Sequence, residues 1–271
     1  MPTGRSRPSR PTASRWRVIA GFRPVLWILS LWTMAGCGSG VPSIEYEILG
    51  TFPHDPAAYT QGLLFHDGHL LESTGRYGES SVRRVDVPTG EVLASVAVDS
   101  ALFGEGLARV DSELVQLTWK SGRAFVYDLE TLEVLREFTY EGEGWGLCYD
   151  GESLWMSDGS SALERRDPKT FAVLSTVEVT RGGAPQRRLN ELECVDGWIY
   201  ANVYQTDVIV RIDKATGEVL GEIDLSSVPL SARKPGDPEA VLNGIAYVPE
   251  TGVFLVTGKL WPKLLALRLD D

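Results

Sequence analysis

A single carboxylic acid, Glu105, lies between two glycines and beside an aromatic residue in the run Phe103-Gly104-Glu105-Gly106. A carboxyl group against apolar neighbours has a raised pKa, which suits a group that shuttles protons near neutral pH. The alternative for Glu105 is a surface residue in a glycine turn. Lys259 follows Thr257-Gly258 and either directs a cation to the same place or is a solvated lysine at a strand end. These two residues are the candidate reactive groups.

Further candidates are polar and aromatic side chains. Asn190 and Glu191 are neighbours in sequence. They bind a substrate or a cation, or Asn190 simply caps a turn. Trp119, Trp145 and Trp261 either form the walls of a binding site or pack between structural repeats.

No metal or nucleotide motif accompanies these residues. The histidines near the first turn, His54, His66 and His69, have no cysteine or acidic partner at the spacing of a zinc site, so we expect no catalytic zinc. No Gly-x-Ser-x-Gly elbow, phosphate-binding loop or dinucleotide fingerprint occurs.

The candidate residues lie in a sequence that contains an internal repeat. The motif Asp-x-x-Thr-x-x-Val-Leu recurs four times. It begins at Asp86, Asp128, Asp167 and Asp213, so the repeats start 42, 39 and 46 residues apart. Asp and Thr favour a turn, with Gly90 and Gly217 at positions that need a positive φ, and Val-Leu opens the next strand. A unit of this length holds about four short strands and must pack against its copies around an axis.

Counting strands predicts an all-β, five-bladed β-propeller. Five runs open a unit, but only four turns of the repeated kind follow them. The last unit therefore lacks its outer strand, and 44–52 can supply it, which closes the ring with an N-terminal strand. The five opening runs are 60–63, 104–107, 144–147, 190–193 and 242–245.

Strand direction brings the candidates to one rim. In an antiparallel blade, the start of the first strand and the end of the second lie at the same edge. A rim that mixes aromatic walls with a few polar groups is typical of a small-molecule pocket. The residues at this rim include Tyr59, Gln61, Phe103, Glu105, Trp119, Trp145, Asn190, Glu191, Tyr204, Asn243 and Lys259.

The first 36 residues are a different kind of sequence. They carry six arginines and no acid, followed by a short apolar run, which is the order of a secretory signal. Met34-Ala35-Gly36-Cys37 resembles a bacterial lipoprotein box, and the alternative is an ordinary signal peptide. We predict a signal peptide at 1–36, a lipidated Cys37 with a flexible tether at 37–43, and a propeller at 44–271. The protein would then be exported and lipid-anchored in the bacterial envelope.

Charge and cysteines limit the partners. Beyond residue 36, 20 basic residues face 37 acidic ones, a net charge of −17. This excludes nucleic acid and direct contact with anionic bilayers, leaving Cys37 as the only route to a membrane. Cys148 and Cys194 occupy equivalent positions in neighbouring repeats, which suggests a separation too long for a disulfide. We therefore predict two buried thiols. We also expect the protein to be a monomer.

The chain resembles the plant and bacterial type of glutaminyl-peptide cyclotransferase, a five-bladed propeller family. No single phrase is decisive, but ten of them occur in order. They are YTQGL (59–63), ESTGRYG (72–78), FGEGL (103–107), LTWK (117–120), GWGL (144–147), LWMSDGS (154–160), LNELE (189–193), ANVYQTD (201–207), LNGIAY (242–247) and TGKLWPK (257–263).

The resemblance implies an enzyme that converts the N-terminal glutamine of peptides or proteins to pyroglutamate, without a required cofactor. It implies Glu105 as the acid/base group, with Lys259 and Asn190 in the catalytic set. Where the family commonly has Phe and Trp, this chain has Tyr59 and Tyr204. The implied substrate-binding residues are Tyr59, Gln61, Phe103, Trp119, Trp145, Glu191 and Tyr204.

Two other functions are compatible with the rim. One is a calcium-dependent propeller lactonase or esterase, since Glu105, Glu191, Asn190 and Asn243 carry the oxygen ligands that hard cations prefer. The other is a lipid-tethered propeller that binds peptides without catalysis. A structural cation in the central channel, calcium for instance, is compatible with all three functions.

Overall fold

The computed structural model describes residues 40–228 and 236–270. Within these ranges every regular element is a β-strand. These ranges accordingly contain no candidate for a membrane-spanning helix. The predicted signal segment and Cys37 lie outside the described residues.

The strands form five four-stranded antiparallel sheets. Blade 1 contains β2 (Thr60–His66), β3 (His69–Thr74), β4 (Ser81–Asp86) and β5 (Val92–Ala97). Blade 2 contains β6 (Gly104–Val110), β7 (Glu113–Thr118), β8 (Arg123–Asp128) and β9 (Val134–Thr139). Blade 3 contains β10 (Leu147–Tyr149), β11 (Leu154–Ser157), β12 (Ala162–Arg166) and β13 (Val173–Glu178).

Blade 4 contains β16 (Leu189–Val195), β17 (Trp198–Val203), β18 (Val208–Asp213) and β19 (Val219–Asp224). A small hairpin of β14 (Thr180–Arg181) and β15 (Ala184–Pro185) precedes it. Blade 5 contains β20 (Leu242–Val248), β21 (Val253–Gly258) and β22 (Lys263–Leu269). Its outer strand is β1 (Tyr46–Pro53), which pairs antiparallel with β22 from Tyr46↔Leu269 to Pro53↔Lys263.

The first strands of the five blades line the axis and contact one another in the order β2, β6, β10, β16, β20 and back to β2. Apolar side chains fill the space between neighbouring blades; Leu63 and Val85 of blade 1, for example, share a cluster with Leu255 and Ala266 of blade 5. The predicted five-bladed propeller is confirmed.

The repeated turns are built as the sequence predicts, with one difference. In each, the Asp carboxylate accepts a hydrogen bond from the backbone N–H of the Thr. The next residue has a positive φ, 71° at Gly90 and 75° at Gly217, but also 59° at Leu132 and 61° at Phe171. Both of these larger side chains are only 2 % exposed. Burial of an apolar side chain therefore offsets the strain that glycine avoids at the other two turns.

Close packing at the axis depends on glycine in the first strands. A Cβ on Gly106 would lie 2.5 Å from the backbone nitrogen of Leu147, and one on Gly146 would overlap the carbonyl oxygen of Asn190. The strands of blades 2, 3 and 4 thus approach backbone to backbone.

Blade 4 departs from this pattern. The Glu191 carboxylate accepts hydrogen bonds from the backbone N–H groups of Leu63 (3.2 Å) and Ile245 (2.9 Å). Glu193 accepts one from the N–H of Tyr247 at 2.8 Å. Two carboxyl groups therefore join the first strands of blades 4, 5 and 1.

The prediction of two free buried thiols is wrong. Cys148 in β10 and Cys194 in β16 form a disulfide, with their Cα atoms 5.5 Å apart, a separation typical of disulfides. Equivalent positions of neighbouring blades are far apart only toward the outer strands. Both cysteines lie in first strands, which converge at the axis, so the bond fits there.

Candidate active site

The two candidate reactive residues are both buried at the predicted rim. Glu105, the second residue of β6, is 4 % exposed, and Lys259, which follows β21, is 3 % exposed. The interpretations of Glu105 as a surface residue and of Lys259 as a solvated lysine are therefore wrong.

A short chain of amides holds the Glu105 carboxyl group. Gln61 Nε2 donates a hydrogen bond to Glu105 Oε1 across 3.1 Å. Gln61 Oε1 in turn accepts one from Asn243 Nδ2 at 3.3 Å, and Asn243 Nδ2 also donates to the carbonyl oxygen of Thr60 at 2.9 Å. All four residues lie at the start of first strands, so the arrangement of the blades around the axis aligns this row of hydrogen bonds.

Burial changes the proton affinity of both reactive groups. Burial raises the pKa of Glu105 well above its ordinary value; the positive charge of Lys259 opposes this, and the negative charge of Glu143 adds to it. Burial lowers the pKa of Lys259 to about 8, against the charges of Glu105 and Glu239, which raise it. Burial thus shifts the two pKa values toward each other, as is typical of groups that transfer protons in active sites.

Aromatic side chains surround these groups. The ring centroid of Phe103 lies 6.0 Å from that of Tyr59 and 5.6 Å from that of Trp119. Trp145 and Tyr204 meet edge to face at 5.5 Å. These pairs form two halves of a wall, one from blades 1 and 2 and the other from blades 3 and 4.

Two charged residues join the halves into a closed ring of contacts. Lys259 Nζ lies 4.7 Å from the ring centroid of Tyr59 and 5.0 Å from that of Tyr204. On the opposite side, Glu143 Oε2 accepts hydrogen bonds from the indole nitrogens of Trp119 and Trp145. All five blades therefore contribute to the mouth of the propeller.

Asn190 and Glu191 are placed differently from one another. Asn190 is 2 % exposed, and its Oδ1 has no hydrogen-bond partner within the described part of the chain. Glu191 directs its carboxylate at the axis, where both oxygens accept backbone N–H groups. Asn190 thus retains a free acceptor, whereas the oxygens of Glu191, predicted to bind substrate, are already engaged.

A buried network supports the floor of the site. Trp261 is a packing residue: it is fully buried, and its indole N–H donates to Ala240 O at 3.0 Å. His54 lies between Trp261 O (2.7 Å) and Glu72 Oε1 (3.1 Å). Burial would raise the pKa of Glu72, but Arg83 and His54 outweigh burial and lower this pKa to about 2. The network ties the turn after Lys259 to β3.

Two acidic residues of the site were missed in the sequence. They are Glu143, described above, and Glu239, whose Oε2 accepts a hydrogen bond from the Tyr59 hydroxyl at 2.5 Å. The sequence did contain a signal for Glu143, because it precedes Trp145, a predicted rim residue, by only two positions. Glu239 is 180 residues from Tyr59, and no repeat pointed to it.

Known proteins resemble this chain along most of its length. The sequence model of the family described as glutamine cyclotransferase matches residues 25–269. A glutaminyl-peptide cyclotransferase of Arabidopsis thaliana is 44 % identical over 230 residues, which is 84 % of this chain and 72 % of the relative. The crystal structure of Myxococcus xanthus glutaminyl cyclase superposes with a TM-score of 0.80 at 40 % identity, covering 85 % of this chain and 98 % of that one.

Proposed function

This chain belongs to the glutamine cyclotransferase family, and from that premise we propose how its rim site converts the N-terminal glutamine of a peptide into pyroglutamate. In this reaction the α-amine attacks the side-chain amide carbon of the same residue. The C–N bond to the amide nitrogen breaks, and ammonia leaves.

The first task of the site is to hold the glutamine in a bent conformation. The nucleophile and the electrophile belong to one residue, so orientation replaces a bimolecular encounter. The aromatic wall of Phe103, Trp119 and Trp145 suits this task, because flat apolar faces exclude extended conformers of a short side chain.

The second task is to move protons, and we assign it to Glu105. The α-amine has an ordinary pKa of about 7.7–8.0, so a useful neutral fraction exists without a strong base. The ionised carboxylate takes the proton that the attacking amine loses and then delivers it to the departing amide nitrogen. The observation that carries this role is the burial of Glu105, which raises the pKa of its carboxyl group well above the ordinary value although the charge of Lys259 opposes the rise.

The third task is to stabilise the oxyanion of the tetrahedral intermediate. Lys259 is the charged donor, and Gln61 or Asn190 supplies an amide N–H. Removal of one such donor costs about 2.7–4 kcal/mol in other enzymes. If Lys259→Ala weakened only substrate affinity and left the chemical step intact, this role would be wrong.

The experiment is to incubate the purified chain with a Gln-initiated peptide and to follow ammonia together with the matching loss of mass. We propose that the reaction needs no metal, so EDTA should leave the rate unchanged. Glu105→Gln should lower kcat by about 10²–10⁴-fold. A folded Glu105→Gln protein that keeps most of its turnover would contradict the acid/base role.

The calcium-dependent lactonase is less consistent with the site. Of the four proposed ligands, Glu191 has both oxygens engaged by backbone N–H groups, and Glu105 lies within the field of the Lys259 cation. The Oδ1 atoms of Asn190 and Asn243 have no hydrogen-bond partner in the described part of the chain, so they are the two acceptors that a cation could still use. No group of three or more His, Cys, Asp or Glu in the described ranges is arranged to hold a metal ion. Chelator-sensitive hydrolysis of a lactone, with no ammonia from Gln peptides, would restore this alternative.

We also propose that the protein is exported and anchored through Cys37. The basic and then apolar order of the first 36 residues and the lipobox-like run before Cys37 support this proposal. Mass spectrometry of the N-terminal peptide tests it directly: a diacylglyceryl group on Cys37 is expected. Release of Cys37→Ser into the soluble fraction would agree, and an unmodified, uncleaved N-terminus would contradict it.

A further inference from the structure

Glu143 connects the two halves of the aromatic wall. It lies between β9 and β10, and its Oε2 accepts hydrogen bonds from Trp119 Nε1 at 2.8 Å and Trp145 Nε1 at 3.1 Å. Trp119 follows the second strand of blade 2, whereas Trp145 precedes the first strand of blade 3. One carboxylate oxygen therefore fixes side chains that come from different blades.

Each indole has one further ring neighbour at the mouth. Trp119 packs against Phe103 at 5.6 Å, and Trp145 packs against Tyr204 at 5.5 Å. A hydrogen bond from the indole nitrogen fixes the direction of its N–H bond, and the ring contact restricts rotation of the indole about that direction. Two such bonds to one oxygen therefore couple the positions of the two indoles.

We propose that Glu143 is a positioning residue for the cyclisation, holding the indoles of Trp119 and Trp145 in the orientation that bends the substrate glutamine. This inference rests on the proposed function, because the bent conformer matters only for an intramolecular attack. The Glu143 side chain is 39 % exposed, and Lys120 Nζ lies 3.5 Å from its Oε1.

The charge of Glu143 has a second effect, on Glu105. Its negative charge raises the pKa of Glu105, in the same direction as burial, while Lys259 lowers it. The phenols of Tyr140 and Tyr204 also lie within electrostatic range of Glu105. Glu143 thereby raises the proton affinity of the shuttle group.

Two substitutions separate the two effects. Glu143→Gln keeps an oxygen that accepts from both indoles but removes the charge. Glu143→Ala removes both. Glu141→Ala is the matched control, since Glu141 is an exposed residue of the same loop. Ammonia release is measured against peptide concentration and pH for all four proteins, and thermal unfolding verifies that each is folded.

For Glu143→Ala we expect a rise in KM of about tenfold and a fall in kcat, because the wall no longer holds the bent conformer. For Glu143→Gln we expect KM within twofold of the wild type. The acidic limb of the kcat–pH profile, where activity falls as Glu105 becomes protonated, should move to lower pH in both variants because the negative charge that raises the pKa of Glu105 is gone. A residue that only supports folding would not move this limb.

The outcomes are distinct. Wild-type KM and kcat in a folded Glu143→Ala protein would overturn the positioning role, and an acidic limb that stays in place in Glu143→Gln would overturn the electrostatic one. If the wild type released no ammonia from Gln peptides, the proposed function itself would fail. Should Glu143→Ala not fold, the pH profile of Glu143→Gln still decides the charge effect, and Glu143→Leu decides the hydrogen bonds.

Discussion

The hydroxyl of Tyr59 donates a hydrogen bond to Glu239 Oε2 across 2.5 Å, and the two residues are 180 positions apart in the chain. Desolvation, with the negative charge of Glu239, raises the pKa of Tyr59 far above its ordinary range, so the phenol stays a donor. Tyr59 also lies under Lys259 Nζ at 4.7 Å. A residue of the aromatic wall thus holds the loop before β20 beside the reactive lysine.

We predict that Tyr59→Phe lowers stability while catalysis changes little. The variant keeps the aromatic face beneath Lys259 but loses a hydrogen bond to a charged acceptor, which costs about 1.5–3 kcal/mol. Urea denaturation measures this loss, and kcat should stay within about threefold of the wild type. Tyr77→Phe is the control, since Tyr77 is 55 % exposed at the same rim and should show no change.

The pH dependence of kcat should show the deprotonation of Lys259. Burial lowers its pKa to about 8, so the lysine is protonated below that pH and loses its charge above it. If it stabilises the oxyanion, kcat falls as pH rises through about 8. The neutral fraction of the substrate amine grows in the same direction, so the substrate does not produce this fall. Lys259→Arg should move the alkaline limb upward at reduced kcat, and an unmoved limb would contradict the assignment.

The repeated turn made the fold predictable. The Asp and Thr of each copy act within one turn, so their effect is visible in a short window of sequence. The count of five blades followed from the number of strands. Leu132 and Phe171 have a positive φ without being glycine. No local rule predicts that, because what offsets the strain is burial between distant strands.

The site was predictable only in part, for a related reason. Glu105 and Gln61 begin first strands, so the register of the repeats placed them together. Glu143 and Glu239 lie in the connections between blades, from β9 to β10 and from β19 to β20, and these connections differ in length from blade to blade. Their positions depend on how each connection folds over the rim, which the repeat does not predict. The disulfide was misjudged because blades were treated as evenly spaced, although they converge at the axis.

The raised pKa of Glu193 should make the stability of the protein fall as pH rises, which is unusual for a carboxyl group. This half-buried carboxyl has a pKa of about 8, raised from an ordinary value near 4.5 by burial, although the Tyr247 N–H lowers it. A raised pKa means that the folded state holds a proton that the unfolded state releases. Its contribution to stability is therefore complete below about 4.5 and is lost as pH rises to about 8.

Glu193→Gln should remove this dependence. The Gln side chain retains an oxygen for the Tyr247 N–H but does not titrate. We expect the fall in unfolding free energy between pH 5 and 8, at most about 1.4 kcal/mol per pH unit from this group, to become shallower in the variant. Equal slopes in wild type and variant would contradict the assignment. Glu218→Gln, at an exposed position of the same blade, is the control.

The disulfide between Cys148 and Cys194 should stabilise the propeller without taking part in the reaction. It closes a loop of 46 residues, for which restriction of the unfolded chain is worth about 4 kcal/mol. We predict that the double variant Cys148→Ala/Cys194→Ala has an unfolding free energy lower by about 2–4 kcal/mol. Its kcat at 25 °C should be unchanged, because neither sulfur lies in the ring of contacts around Glu105.

Denaturation in urea with and without dithiothreitol measures the effect. The reductant should bring the wild type to the stability of the double variant and leave that variant unaltered. If the reductant instead lowered kcat of the folded wild type, the bond would be positioning β16 and Asn190 for catalysis, and the purely structural role would be wrong.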